Sequence, residues 1–273
     1  MATHGSAFPI AKLALNNSVP PILMASLRMG LVMLLLIPFW KFKIPDKKYL
    51  KSLFLFSFSM GVLVYVFMNL SLNYSTFISP IIIGSQLAVP FAVVLSAIMI
   101  GENISKKKWV FIFLAFFGIT VVFFDPELKN NLIGLLFASL MALFFAIAQV
   151  YSRKLKELSL TLINAYTGLF GFFILIIVSF FIEGEVVANI KNINLESWML
   201  IGYQAIIVSL FAHMSMFYLY KFYTVGQIFP FYSLFPIFGI ILTFLIFGEI
   251  PSLLFFIGSF FVISSVILLQ KTK

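Results

Sequence analysis

FPFYSLFPIFGIILTFLIFGEIPS occupies residues 229–252. It is an apolar helical run with internal prolines, stopped by Gly248-Glu249. A second stretch echoes it: SPIIIGSQLAVPFAVVLSAIMIGENIS, residues 79–105. Pro90 lies twelve residues before Glu102, and Pro236 lies thirteen before Glu249. Each stretch follows a short polar-aromatic turn, Tyr74-Ser75-Thr76 in one case and Tyr223-Thr224-Val225 in the other. Two such echoes predict a duplicated unit.

Composition sets the medium. Of 273 residues, 62% are hydrophobic and 10% charged, too few charges to cover a soluble domain of this size. A helix needs roughly 20 apolar residues to cross the hydrocarbon core, and such runs follow one another almost without pause. The runs do not alternate apolar with polar residues as barrel strands do, so the spans are helices. With no cysteine, disulfides, thiolate metal sites and thiol nucleophiles are excluded. No cofactor and no metal site is expected.

The spans read from hydropathy are residues 2–15, 20–40, 50–72, 75–100, 109–124, 132–151, 160–182, 197–220, 225–247 and 251–270, ten in all. Short loops predict that consecutive helices are antiparallel neighbours. With both termini cytoplasmic, fourteen lysines and arginines fall on the inner side, including Lys106, Lys107, Lys108, Arg153 and Lys154. Only Lys12, Lys129 and Lys191 fall outside, and Arg28 falls within a span. That bias sets the orientation, and it explains the net charge of +9 without a nucleic-acid partner.

Ten helices divide into two fives, residues 1–125 and 126–273, and an odd repeat length turns the second copy upside down. The first and sixth helices align as AFPIAKLA (residues 7–14) on AQVYSRKL (residues 148–155), setting Lys12 opposite Arg153. The second and seventh align as LMASLRMG (residues 23–30) on INAYTGLF (residues 163–170). In this register helix 1 runs about ten residues short of a span, which predicts a truncated start upstream of Met1. A short first helix beside a cytoplasmic vestibule is the alternative.

The pattern resembles the EamA-type permeases of the drug/metabolite transporter superfamily. The residues that carry the resemblance are GSAFPIAKLAL (residues 5–15), SLRMGLVMLLLIP (residues 26–38), Pro90 with Gly101-Glu102, SRKL (residues 152–155), and Pro236 with Gly248-Glu249 and Gly258. The short helix 1, the unequal proline-to-glutamate spacing and His4 ahead of Gly5-Ser6 depart from the family pattern. The resemblance implies an all-α integral membrane carrier of small metabolites, commonly an exporter of amino acids or related compounds. It also implies a bacterial inner-membrane location, with a small-molecule substrate, the lipid bilayer, and a monomeric or homodimeric state.

Candidate site residues follow from polarity at membrane depth, where polar groups must pair with one another, with water or with substrate. Tyr65 and Asn69 share a face of the third helix, and Gln86 and Pro90 a face of the fourth. Gln149 and Asn164 lie near the cytoplasmic ends of helices six and seven. Ser209, His213 and Met216 share a face of the eighth, and Tyr232, Pro236, Gly239 and Thr243 one of the ninth. Interhelical hydrogen bonding accounts for any of the polar ones equally well.

Pro90 and Pro236 free carbonyls one turn earlier and so make kinks or hinges. Arg28 lies eight residues into its helix, about 12 Å from the outer end, within reach of snorkelling. Holding a substrate carboxylate is its other reading. Glu102 and Glu249 mark either the membrane boundary, where they are solvated, or a gate ion pair with a nearby lysine. The 36 phenylalanines face lipid and core.

A carrier working by alternating access between inverted repeats is therefore expected. Proton-coupled multidrug efflux is the alternative, but none of the nine acids is expected near the bilayer centre, so facilitated exchange or coupling through His213 is expected rather than a carboxylate-driven cycle. An intramembrane enzyme is the remote alternative. Its paired aspartates, HExxH or aspartate clusters cannot be assembled here, so the chain is not read as an enzyme.

Overall fold

A computed structural model describes residues 2–40, 43–212, 215 and 234–272. Among these residues the chain is helical throughout, with no strand. After a single turn at Ala2–Gly5 come α1 (Ala7–Asn16) and α2 (Pro21–Trp40). Then follow α3 (Lys47–Asn73), α4 (Ser79–Met99), α5 (Lys106–Phe123) and α6 (Leu132–Ser152). The last are α7 (Leu160–Ile182), α8 (Leu195–Ala212), α9 (Phe235–Phe247) and α10 (Leu253–Lys271). The sequence did not announce a short helix between α7 and α8, Val186–Asn192.

Among the described residues, α2, α3, α4, α6, α7, α8 and α10 lie in stretches long and apolar enough to cross a membrane. Shorter are α1 and α9, and α5 opens on three lysines. Their outer faces agree with a lipid solvent. Phe39, Phe113, Phe124, Phe181 and Phe260 are each more than 60% exposed, which water would not tolerate in such number.

Local chemistry explains where helices stop. Gly101 and Gly248 end α4 and α9 at φ +79° and +66°, the left-handed region that costs glycine nothing. That matched pair is the Gly-Glu stop expected from the sequence. On the lysine-rich side, α5 and α7 are capped by their own serines. The Ser105 hydroxyl accepts from the Lys108 N–H and the Ser159 hydroxyl from the Leu162 N–H.

Packing corrects one expectation. Consecutive helices are, for the most part, not the principal neighbours. Among the described residues the most extensive pairings join counterparts in the two halves, α2 with α7 and α5 with α10. Short loops fix only the direction of successive helices. Which helices approach closely is decided by small residues, because lipid offers no hydrophobic drive for association. A Cβ on Gly258 would stand 2.6 Å from the Gly118 carbonyl, and one on Gly118 would stand 2.7 Å from that of Gly258. The backbones of α5 and α10 touch there.

Candidate functional site

Pro90 cannot donate to the Gln86 carbonyl, so α4 lapses one turn ahead of it. The N–H groups of Gln86, Leu87 and Val89 instead reach carbonyls three residues back, at 3.0, 3.1 and 3.1 Å. Regular α-helix ends at Ser85 and resumes at Ala88. The lapse turns Ser85, Gln86, Ala88 and Val89 together towards one cavity. Pro236 acts differently. It occupies the first turn of α9, where a missing N–H breaks no described ladder bond.

Two further helices leave the α form, α3 at mid-span and α8 over its last described residues. Residues Ser59–Val64 of α3 and Gln204–Ala212 of α8 are π-helical. Such widened turns are rare and cluster at functional sites. Tyr65 follows the first directly, and Ser209 lies inside the second. Between them sits Arg28 of α2. Its Nε donates to the Ser209 hydroxyl at 3.0 Å, and its guanidinium carbon lies 4.2 Å from the centroid of the Tyr65 ring. Only 3% of the residue is exposed, and Nη1 has no hydrogen-bond partner among the described residues. It does not snorkel to the outer end.

A cavity of about 90 Å³ lies beside Arg28, room for several waters. Residues before and within α1 contribute His4, Ala7 and Phe8 to its wall. The α3 wall is Met60, Val64, Tyr65 and Met68, and the α6 wall is Met141, Ala142, Phe145 and Gln149. Val208 of α8 and Phe235 of α9 close it. The lining is apolar with a few polar groups and no acid. Both halves of the chain build it.

Of the residues singled out in the sequence, Tyr65, Gln86, Gln149 and Arg28 come together on this cavity. Asn69 does not. Its Nδ2 donates to the Pro21 carbonyl at 2.9 Å and ties α3 to the start of α2. Asn164 donates to Leu160 of its own helix at 2.9 Å. Pro90 is buried behind the kink that it makes. Gly239 and Thr243 face the interior: Gly239 lies against Ile82 and Gly5, and the Thr243 hydroxyl donates to the Gly239 carbonyl. His213, Met216 and Tyr232 lie outside the described residues.

The two glutamates that follow Gly101 and Gly248 have opposite surroundings. Glu102 is half exposed and pairs with Arg153, an arginine where a lysine was expected. Glu249 is 7% exposed, so it is not a solvated boundary residue. Its two oxygens accept the N–H groups of Ile78 and Ser79 at 2.7 and 2.8 Å. Asn131 Oδ1 accepts those of Thr76 and Phe77 at 2.6 and 3.1 Å. Four successive donors leading into α4 are thereby satisfied by side chains from the second half. Lys12 Nζ donates to the Leu72 and Ser75 carbonyls, each at 2.7 Å, and holds the other side of the same turn.

A second carboxylate repeats the device. Glu183, just past α7, accepts from the Ile22 and Leu23 N–H groups at 2.7 and 2.8 Å, and the Ser179 hydroxyl donates to it at 2.7 Å. Thus α7 caps α2, and α9 caps α4. All these contacts lie at the lysine-poor end of the bundle.

The profile of the EamA-like transporter family matches the chain in two segments, residues 1–124 and 132–270. The chain belongs to the EamA-like transporter family. It is an integral membrane transporter of the drug/metabolite transporter superfamily, with that family's two-repeat architecture. One solved crystal structure superposes with a TM-score of 0.56 over 99% of this chain and 98% of its own, at 14% identity. Likeness at that identity speaks to the fold alone. No curated protein matches the chain.

In this EamA-like transporter, sequence reasoning missed Glu183 and Lys12 as clamps, and His4 and Ser85 as cavity residues. An acid placed directly after an apolar span was the available signal for Glu183. The matched glutamates also separate by experiment. Glu102→Ala removes a half-exposed ion pair, which is worth less than about 1 kcal/mol. Its unfolding midpoint in a detergent titration should therefore stay close to that of the wild type.

Proposed function

We propose that this EamA-like transporter carries a small metabolite, an amino acid or related compound, as an exporter or exchanger. It works by alternating access between two inverted repeats, residues 1–125 and 126–273. The observation that supports this best is the cavity itself. It sits beside the kinked or widened stretches of α3, α4 and α8, is walled by both halves of the chain, and suits a ligand with an apolar body. Tyr65, Gln86 and Gln149 are proposed to contact that ligand, with His213 and Tyr232 on the adjoining stretch. Pro90 and Pro236 shape the helices that move. Asn69 ties α3 to the start of α2, and Asn164 bonds within its own helix.

In this reading the lysine-poor end faces outwards and is latched by Glu183 and Glu249, and both termini are cytoplasmic in a bacterial inner membrane. Glu102 with Arg153 forms an exposed contact at the inner end, easily broken and re-formed. No carboxylate lines the cavity, which weighs against proton-coupled efflux of lipophilic cations, where an acid would hold the cargo. The protein is proposed to act as a monomer or homodimer in lipid, without enzymatic chemistry and without a nucleic-acid partner.

The test is counterflow in liposomes preloaded with unlabelled amino acids. A carrier gives transient accumulation of labelled substrate that saturates with concentration. Flux that rises linearly without saturation, or equals that of empty liposomes, would sink the carrier reading.

A further inference from the structure

Among the described residues the Arg28 cation has no counter-ion. The chain has nine acids, and every one is described. Glu183 and Glu249 are engaged by backbone N–H groups, Asp125 by Ser252 and the Glu127 N–H, Glu102 by Arg153, and Glu157 by Tyr49 and Lys48. Asp46, Glu127, Glu185 and Glu196 are exposed on connections or helix starts outside the bundle. None lines the cavity, and the stretch 213–233 contains no Asp or Glu.

A buried guanidinium in a membrane protein is expensive unless paired. Ser209 and the Tyr65 ring satisfy part of this group, Nη1 has no partner among the described residues, and Arg28 is part of the cavity lining. The deficit is one negative charge.

We propose that Arg28 reads the carboxylate of the cargo, and that the cargo class is a monocarboxylate with an apolar body. The guanidinium offers the planar donor geometry that a carboxylate fits. The methionine, valine and phenylalanine walls take the rest of the ligand. An ammonium group finds no acid in the cavity and is repelled by Arg28, so amino acids enter through their carboxylate and the amine gains nothing. A dicarboxylate leaves its second charge unpaired. This inference rests on the carrier reading above, which it sharpens.

The experiment measures binding to the full-length protein in nanodiscs, by thermal unfolding, and flux in liposomes. The probes share one branched skeleton: 4-methylpentanoate, leucine and isoamylamine, with chloride and inorganic phosphate as bare anions. Ligand stabilisation follows the ratio of concentration to dissociation constant. The wild type should be stabilised by 4-methylpentanoate and leucine and not by isoamylamine, chloride or phosphate.

Arg28→Gln should weaken the carboxylate probes by about tenfold or more, and Arg28→Lys by less. Ser209→Ala keeps the charge and removes the Nε partner. It should weaken them severalfold, and it serves if Arg28→Gln does not fold. Equal binding of isoamylamine overturns the proposal. So do stabilisation by chloride or phosphate as strong as by the carboxylates, no stabilisation by any carboxylate, or carboxylate binding unchanged in Arg28→Gln. Carboxylate binding without flux overturns the carrier reading and leaves this one standing. Flux of amine and carboxylate at equal rates does the reverse.

Discussion

Glu249→Ala should lower the stability of the folded protein by about 2–4 kcal/mol, the cost of two charge-assisted hydrogen bonds and two buried donors left unmet. The Ile78 and Ser79 N–H groups lose both of their acceptor oxygens, at a site where the glutamate is only 7% exposed. They also sit at the positive end of α4, where a negative charge is favoured. Glu249→Gln keeps one acceptor oxygen and should fall between. Unfolding in mixed micelles, read by helicity, measures all three proteins. A Glu249→Ala protein as stable as Glu102→Ala would contradict the assignment of Glu249 as a buried cap. In the proposed cycle this cap must also release when the outer end opens, so the variants should shift the balance of the two open states.

The second large effect is expected at the crossing of α5 and α10. Valine at position 258 would place its Cβ 2.6 Å from the Gly118 carbonyl and 2.6 Å from Val122 Cγ2. The obstacle is backbone, which cannot rotate aside, so the helices must separate along a packed seam. A loss of about 3–5 kcal/mol follows for Gly258→Val, and about 1–3 kcal/mol for Gly258→Ala. Gly202→Ala is the control. A Cβ there meets nothing within 4 Å, and alanine is the better helix former by up to about 1 kcal/mol. Gly258→Val unfolding at the wild-type midpoint would show that the two backbones do not touch.

These two positions show what the sequence could and could not say. The Gly-Glu stops, the Pro90 kink and most span limits are local effects, set by a missing donor, a left-handed glycine or the length of an apolar run. They were legible. Whether the glutamate after the glycine is solvated or buried depends on which helix start lies opposite. Glu102 and Glu249 share a local sequence and differ in that alone.

The π-helical stretches of α3 and α8 had no readable signal, because apolar residues in a membrane span look alike whether the hydrogen-bonded turn holds three or four intervening residues. Arg28 was the instructive case. Its depth was readable from position, but its direction was not, since snorkelling and burial differ by side-chain torsions that the Tyr65 and Ser209 contacts decide. Tyr65, Gln86 and Gln149 converge for a similar reason. Polarity at mid-span identified them, and polarity identified Asn69 and Asn164 equally, though those two are used within the scaffold.

The most direct measurement uses the absence of native cysteine. Val89 is half-buried on the cavity wall, and Phe113 is 66% exposed on the outer face of α5. Single variants Val89→Cys and Phe113→Cys are reconstituted, and counterflow is measured before and after complete reaction with a bulky methanethiosulfonate. If the cavity between the repeats is the path, flux through Val89→Cys falls to the level of empty liposomes on modification, while Phe113→Cys is unaffected. Full modification of Val89→Cys with flux undiminished would contradict it.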